Sequence, residues 1–264
     1  MIHQNNVLRL LLAILLLSPV IVQAANPKNE IQNTYFLEKY STNSSSTKGT
    51  EITYLYRGLE RWILLADVTY QRKYDHNESL QKLGGLYQVT KRLSLQEIIG
   101  FSSHKWTFPE FFADTELNFN LVDRLSLLAG YKYSTFPDVN VSVYAIGANF
   151  YPTAQLFLHG KILRAVSSFN GANNTDTEAN TSYILKAGFY PDIRNEVVFL
   201  YATNSESYLS VDQIGKFKAN TYGLNWKYNL KGNWWLTAGI NYQKRREPVQ
   251  LNQRYLEIGW IYKW

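Results

Sequence analysis

The residues able to do chemistry are few and scattered. Beyond residue 24 the chain has three histidines, His76, His104 and His159, and it contains no cysteine at all. The missing thiols exclude a disulfide scaffold, a cysteine-ligated zinc site and a cysteine nucleophile. Ser102 and His104 stand two residues apart, which invites a serine hydrolase reading. On one strand, however, side chains at i and i+2 are about 7 Å apart, too far for a direct Ser–His hydrogen bond. Asp114 and Glu116 repeat that spacing with carboxylates, as an acid–base pair would and as ordinary polar lining would. His159 and Lys161 form a third such pair. No Gly-x-Ser-x-Gly, phosphate-loop or metal-ligand spacing occurs. The reading is a protein that is not an enzyme and carries no cofactor, with a hydrolase built around His104 as the contrasting class.

The elements that must position these residues are strands. Of 264 residues 45% are hydrophobic and 18% charged, with 20 Tyr, 13 Phe and 7 Trp, yet the mean hydropathy is −0.28. So many aromatics argue against disorder, and the negative hydropathy argues against a bundle of membrane helices. From Ile31 onward apolar residues recur at period two. Leu256, Ile258, Trp260, Tyr262 and Trp264 alternate with Tyr255, Glu257, Gly259, Ile261 and Lys263. Trp234, Leu236, Ala238, Ile240 and Tyr242 do the same one strand earlier.

Tight links are expected after Arg57, Val89, Leu121, Phe150, Phe189 and Tyr228. Longer polar links are expected at 41–50, 75–79, 105–111, 135–138, 167–178, 205–216 and 246–252. Their strict alternation predicts an all-β, antiparallel up-and-down transmembrane barrel of fourteen strands, with twelve as the alternative count. Runs of about ten residues suit tilted strands crossing a bilayer, with short turns on the periplasmic side. Closure requires the strand around Tyr35–Tyr40 to pair with Tyr255–Trp264. Aromatics gather near strand ends: Trp62, Tyr87, Trp226, Trp234 and Trp264 by the short turns, and Tyr40, Tyr70, Tyr133 and Tyr242 by the long ones. That is the layout of two interfacial girdles. Two runs fit poorly. Glu97 shares parity with Leu95, Ile99 and Phe101, so a bulge or shifted register is expected there. The run 196–202 is apolar on both faces and has no assignable orientation.

Residues 1–24 read as a signal peptide: Arg9, an apolar run Leu10–Leu17, Ser18-Pro19, and small residues before a cleavage near Ala24. Residues 25–264 then form the barrel, placed in the cell outer membrane. The ending Ile258, Trp260, Tyr262 and Trp264 resembles the C-terminal signal read by barrel-assembly machinery, which is an expected partner.

Fourteen strands exceed the roughly eight whose interior side chains fill, so a polar lumen is expected. Parity assigns to it Arg57, Lys132, Lys161, Lys186, Lys227 and Lys263, against Asp67, Asp114, Glu116, Glu196 and Glu257, together with His159. The two signs nearly balance, so no ion selectivity follows. If the turn Val122–Arg124 sets Leu121 opposite Leu125, Asp114 faces Lys132 across a hairpin, as an ion pair would. Inward folding of 167–178 or 205–216 is a possible constriction. Lys244-Arg245-Arg246 marks either a solvated loop base or a site for lipopolysaccharide phosphates. Outer-membrane lipid and lipopolysaccharide are expected partners and nucleic acid is not.

The stretch Leu125–Leu163 (LSLLAGYKYSTFPDVNVSVYAIGANFYPTAQLFLHGKIL), with the ending LEIGWIYKW, resembles the YaiO-type outer-membrane β-barrel family. The likeness is clearest at Gly130-Tyr131-Lys132-Tyr133 and Val143–Tyr151. It implies a single-chain barrel in the outer membrane. Some relatives carry periplasmic tetratricopeptide repeats or accompany surface-polysaccharide systems. This sequence shows no such repeat, so a polysaccharide role calls for a separate partner. The family supplies no catalytic or binding residues to carry over. The expected function is a porin-like passage for small polar solutes or glycans. The alternatives are a lipid hydrolase embedded in the barrel and a structural or surface-contact barrel with a closed lumen.

Overall fold

The computed structural model describes residues 27–41, 46–73, 75–103, 107–169, 177–203, 218–247 and 251–264. The expected signal peptide, its cleavage point and His104 lie outside the described residues. Fourteen strands run in chain order: β1 Asn29–Tyr40, β2 Thr47–Tyr56, β3 Trp62–Lys73, β4 His76–Gln88, β5 Leu93–Ser102, β6 Phe111–Val122 and β7 Leu125–Phe136. They continue as β8 Val139–Thr153, β9 Leu156–Phe169, β10 Thr177–Asp192, β11 Asn195–Thr203, β12 Lys218–Lys231, β13 Trp234–Glu247 and β14 Leu251–Lys263. Each pairs antiparallel with its chain neighbours, and β1 closes on β14. The count is fourteen, and the twelve-strand alternative falls.

Closure follows the pairing expected from the sequence, with Tyr35 opposite Ile258 and Glu38 opposite Tyr255. Backbone bonds from Asn29 N to Trp264 O (2.9 Å) and from Trp264 N to Asn29 O (3.0 Å) extend the seam to the chain end. In lipid an unpaired sheet edge would leave N–H and C=O groups without partners, so this seam makes the fold viable.

Residues opposite one another in an antiparallel pair share a face, so one orientation propagates around the barrel. Outside lie Leu64, Leu83, Ile99, Leu117, Ile146, Leu185, Phe199, Leu224 and Ile258, all exposed. Glu196 lies opposite Lys227 and Phe199 opposite Leu224. The ambiguous run is thereby oriented, with Glu196, Val198, Leu200 and Ala202 inside.

Aromatic girdles are present at both ends. Trp62 stacks on Tyr87 at 4.5 Å, and Trp234 meets Tyr262 at 4.6 Å near the short turns. Tyr131–Tyr144 and Tyr201–Tyr222 form contacts of 5.2 and 5.4 Å nearer the loops. Tyr40 departs from the expected girdle. It shares parity with Phe36 and Glu38, faces inward opposite Gln253, and lies 5.7 Å from the Lys73 ammonium.

Three further expectations need correction. The links at 75–79 and 135–138 are tight turns, because β4 begins at His76 and β8 at Val139. Asp75 makes the first turn with φ 64°, a left-handed conformation that Asp tolerates better than most residues. Third, there is no bulge at Glu97. Register runs unbroken from Leu93–Phe119 to Phe101–Phe111, and Glu97 sits exposed on the outer face between Gly85 and Thr115. A one-residue slip would have turned Leu95, Ile99 and Phe101 away from lipid, a larger loss than one outward carboxylate. Register shifts fall at Asn120/Val122, Phe150/Thr153, Phe189/Asp192 and Asn229/Lys231 at the short-turn end, and at Lys218/Ala219 at the loop end, where Arg246 is skipped.

Candidate functional site

The inward face is the candidate site. At the short-turn end Glu30 holds both Arg57 (3.5 Å) and Lys263 (3.4 Å). Those three line a cavity of about 370 Å³ with Pro27 and Lys28. Just inside, the ammoniums of Lys227 and Lys263 lie 5.1 and 5.3 Å from the Trp235 ring centroid. An indole face attracts cations through its quadrupole, so Trp235 tethers two like charges close together.

Two ionic networks occupy mid-depth. On β2–β4, Lys82 Nζ reaches Asp67 Oδ1 at 2.9 Å and Glu51 Oε1 at 3.0 Å. Thr53 Oγ1 donates to the second Asp67 oxygen at 2.6 Å. Across the lumen, Lys161 on β9 pairs with Glu116 on β6. His159 Nδ1 lies 2.7 Å from Asn149 Oδ1, its directly opposite residue on β8. Asp114 lies opposite Lys132, in the register expected from the hairpin, and the Lys132 ammonium lies 4.7 Å over the Phe112 ring.

The loop end is packed. Lys73, Gln71, Glu78 and Thr47 are fully buried, all on inward positions. Glu38 takes an ion pair from Lys73 (3.7 Å) and a hydrogen bond from Gln253. Glu78 accepts from the backbone of Thr107 (3.1 Å) and Phe108 (3.5 Å), from the Thr107 hydroxyl, and from Gln71 Nε2 (2.6 Å). Gln71 also donates to Thr107 Oγ1 at 2.8 Å. Phe108 is buried against Leu80 and Phe112, with Ile98 beside them. All three wall residues face inward, so Thr107 and Phe108, in the connection between β5 and β6, lie inside the lumen. The connections expected to do so, 167–178 and 205–216, lie for the most part outside the described residues.

Register places Asp67, Asp114, Glu116, Lys132, His159, Lys161, Lys186, Glu196, Lys227, Glu257 and Lys263 on the inward face, and Arg57, just past β2, reaches inward-facing Glu30. The structure brings Glu116 to Lys161 and sets Glu196 opposite Lys227. Ile258, Trp260 and Tyr262 line up outward on the last strand, and Trp264 follows beside Tyr54. Sequence reasoning missed Glu30, Glu38, Glu51, Lys73, Glu78 and Lys82. Glu51 and Glu78 carried a usable signal: each shares parity with inward neighbours, but β2 and β4 begin nearer the loop end than the apolar alternation reached. The basic run at 244–246 is split by alternation, with Arg245 buried inside and Lys244 and Arg246 exposed outside. Among the described residues no His/Cys/Asp/Glu cluster suits a metal ion.

A closed antiparallel barrel with an apolar outside and a charged inside is an outer-membrane β-barrel. Solved structures share the architecture at identities that speak to fold alone. A CymD monoaromatic hydrocarbon channel matches at TM-score 0.60 with 11% identity, over 91% of this chain and 89% of that one. A bacterial polysaccharide outer membrane secretin matches at 0.60 with 9% identity, over 91% and 100%. An anion-selective porin from Comamonas acidovorans matches at 0.50 with 12% identity, over 89% and 98%. No curated protein matches this chain. Residues 28–192 match the YaiO membrane beta barrel domain, and the chain belongs to that family.

Proposed function

We propose that the protein is a porin-like passage for small polar solutes or glycans across the outer membrane. What carries the reading is the inward face itself. Lys82, Glu51, Glu116 and Lys161 pair across strands yet stay partly exposed, so water reaches them at mid-depth, unlike the fully buried Lys73 and Glu78 of the loop end. The three barrels compared above are named for a hydrocarbon, a polysaccharide and anions, so shared architecture leaves the cargo open. Passage of a surface polysaccharide is the narrower form and calls for a partner protein. The purified barrel in planar bilayers should give discrete conductance steps; a folded barrel without conductance overturns the reading.

One observation favours a second reading, a barrel narrowed or closed at its loop end. Glu78 latches Thr107 and Phe108 inside the lumen. If that segment limits flow, Glu78→Gln raises single-channel conductance, and an unchanged value removes the segment from the pathway. The hydrolase class rests on His104 alone. It predicts an ester-cleaving activity lost in His104→Ala.

A further inference from the structure

Among the described residues, the outward cations at the loop-end aromatic girdle and beyond it are concentrated on one side of the barrel. Exposed Lys244 and Arg246 on β13, Arg254 on β14, Lys39 on β1, Lys48 on β2 and Arg72 on β3 all point outward. Register makes them neighbours: Lys39 lies opposite Arg254, Arg254 opposite Tyr242, and Lys48 opposite Arg72. They span five adjoining strands across the closing seam, about 19 Å at about 4.8 Å per strand.

Tyr242 and Tyr70 fix their depth. Both rings are exposed on the outer face; Arg254 stands level with the first and Arg72 two residues beyond the second. The cations therefore begin where the interfacial rings end, in the headgroup layer. The far wall differs at this level: its described outward cation is Arg164 on β9, opposite Tyr144 and donating to Thr181, and Thr135, Asn140, Ser142 and Ser168 beyond it carry no charge. Among the described outward side chains of the five basic strands at this level there is no carboxylate. Asp75, in the turn after β3, engages Arg72 at 3.0 Å.

We infer that this face binds the phosphorylated headgroup of lipopolysaccharide in the outer leaflet. Guanidinium forks on Arg72, Arg246 and Arg254 match phosphate oxygens in pairs, and the lysines supply compact charge between them. Membrane-surface cations gain further from a dense anionic leaflet. The site is the cross-strand row and not the linear run at 244–246, because Arg245 lies inside. It is independent of whether the lumen conducts.

The test uses the full barrel in detergent micelles, titrated with lipopolysaccharide and with the same lipid after enzymatic dephosphorylation, bound lipid being counted by native mass spectrometry. Folding is checked by heat-modifiable gel migration. Wild type should retain the phosphorylated form selectively. Lys39→Gln/Arg72→Gln/Lys244→Gln/Arg254→Gln should bind it more than tenfold more weakly, and the milder Lys39→Gln/Arg254→Gln should lose part of that. Arg164→Gln, on the far wall, should bind as wild type. Equal retention of the dephosphorylated lipid overturns the proposal, as does equal loss in Arg164→Gln. Competition by millimolar inorganic phosphate would assign the row to free phosphate and overturn the lipid assignment.

Discussion

Lys161 on β9 reaches across two whole strands to the carboxylate of Glu116 on β6. Small residues beneath it allow this. In the row that begins at Glu116, β7 contributes Gly130 and β8 contributes Ala145. Gly147, directly opposite Lys161, has its missing side chain replaced by the lysine stem. Gly130→Leu should sever the pair. Glu116→Gln, which leaves Lys161 uncompensated, should turn reversal potentials toward anions, whereas Lys161→Gln should turn them toward cations. Identical reversal potentials in both variants would place this pair outside the ion path.

Lys82 anchors the facing wall. Its removal in Lys82→Ala leaves Glu51 beside Asp67, which is only 4% exposed. The expected cost is about 2 kcal/mol, less than for a fully buried pair because the ammonium keeps some exposure. Thermal midpoints in micelles would measure it, and Lys82→Arg should recover most of the loss.

Asp114 and Lys132 can be tested by reversal. Asp114→Lys sets two cations opposite each other, and adding Lys132→Asp restores complementarity. A coupling of about 0.5–3 kcal/mol is expected for residues in contact. A coupling indistinguishable from zero would show that the hairpin register, and not attraction, sets their positions.

Phe112 fills the space above Gly100 on the neighbouring strand, the two being directly opposite. A ring shielding a strand glycine is a known stabilising device in sheets. Gly100→Leu must push that ring aside and with it the packing of Phe108. A loss of about 1–3 kcal/mol is expected, read as a lower temperature for the heat-modified gel shift.

Asp192, at the β10–β11 turn, accepts from the Asn195 side chain, from Arg194 N (2.7 Å) and from Asn195 N (2.8 Å). These donors, the Asn195 amide above all, hold its carboxyl below the ordinary range. A depressed native value means the turn gains stability above the unfolded pKa, about 3.9, and loses it as pH falls through the native one. Asn195→Ala should raise the Asp192 titration midpoint, observed by carboxyl NMR, and weaken this acid-side dependence, the backbone donors of Arg194 and residue 195 remaining.

The outward half of this protein was legible in its residues. Period-two alternation from Ile31 to Trp264, with turn residues between runs, points to fourteen strands ahead of twelve, to the closing pair and to the outward orientation of Ile258, Trp260 and Tyr262, because lipid contact favours an apolar residue at every second position. Parity likewise sends Asp114, Lys161 and Lys227 inside. Parity stops short at the loop ends, where Lys73 and Glu78 are strand residues whose polarity resembles that of a loop.

Tertiary structure decided the partners. Parity states a face but no distance. That Lys161 meets Glu116 depends on glycine and alanine lying between them, and that Glu78 holds Thr107 depends on a connection turning inward. The same holds outside: Lys39 and Arg254 are far apart in the chain, and only closure of β1 on β14 sets them opposite each other. Alternation is a local consequence of a solvent boundary, whereas these contacts arise from the stagger and closure of the whole barrel.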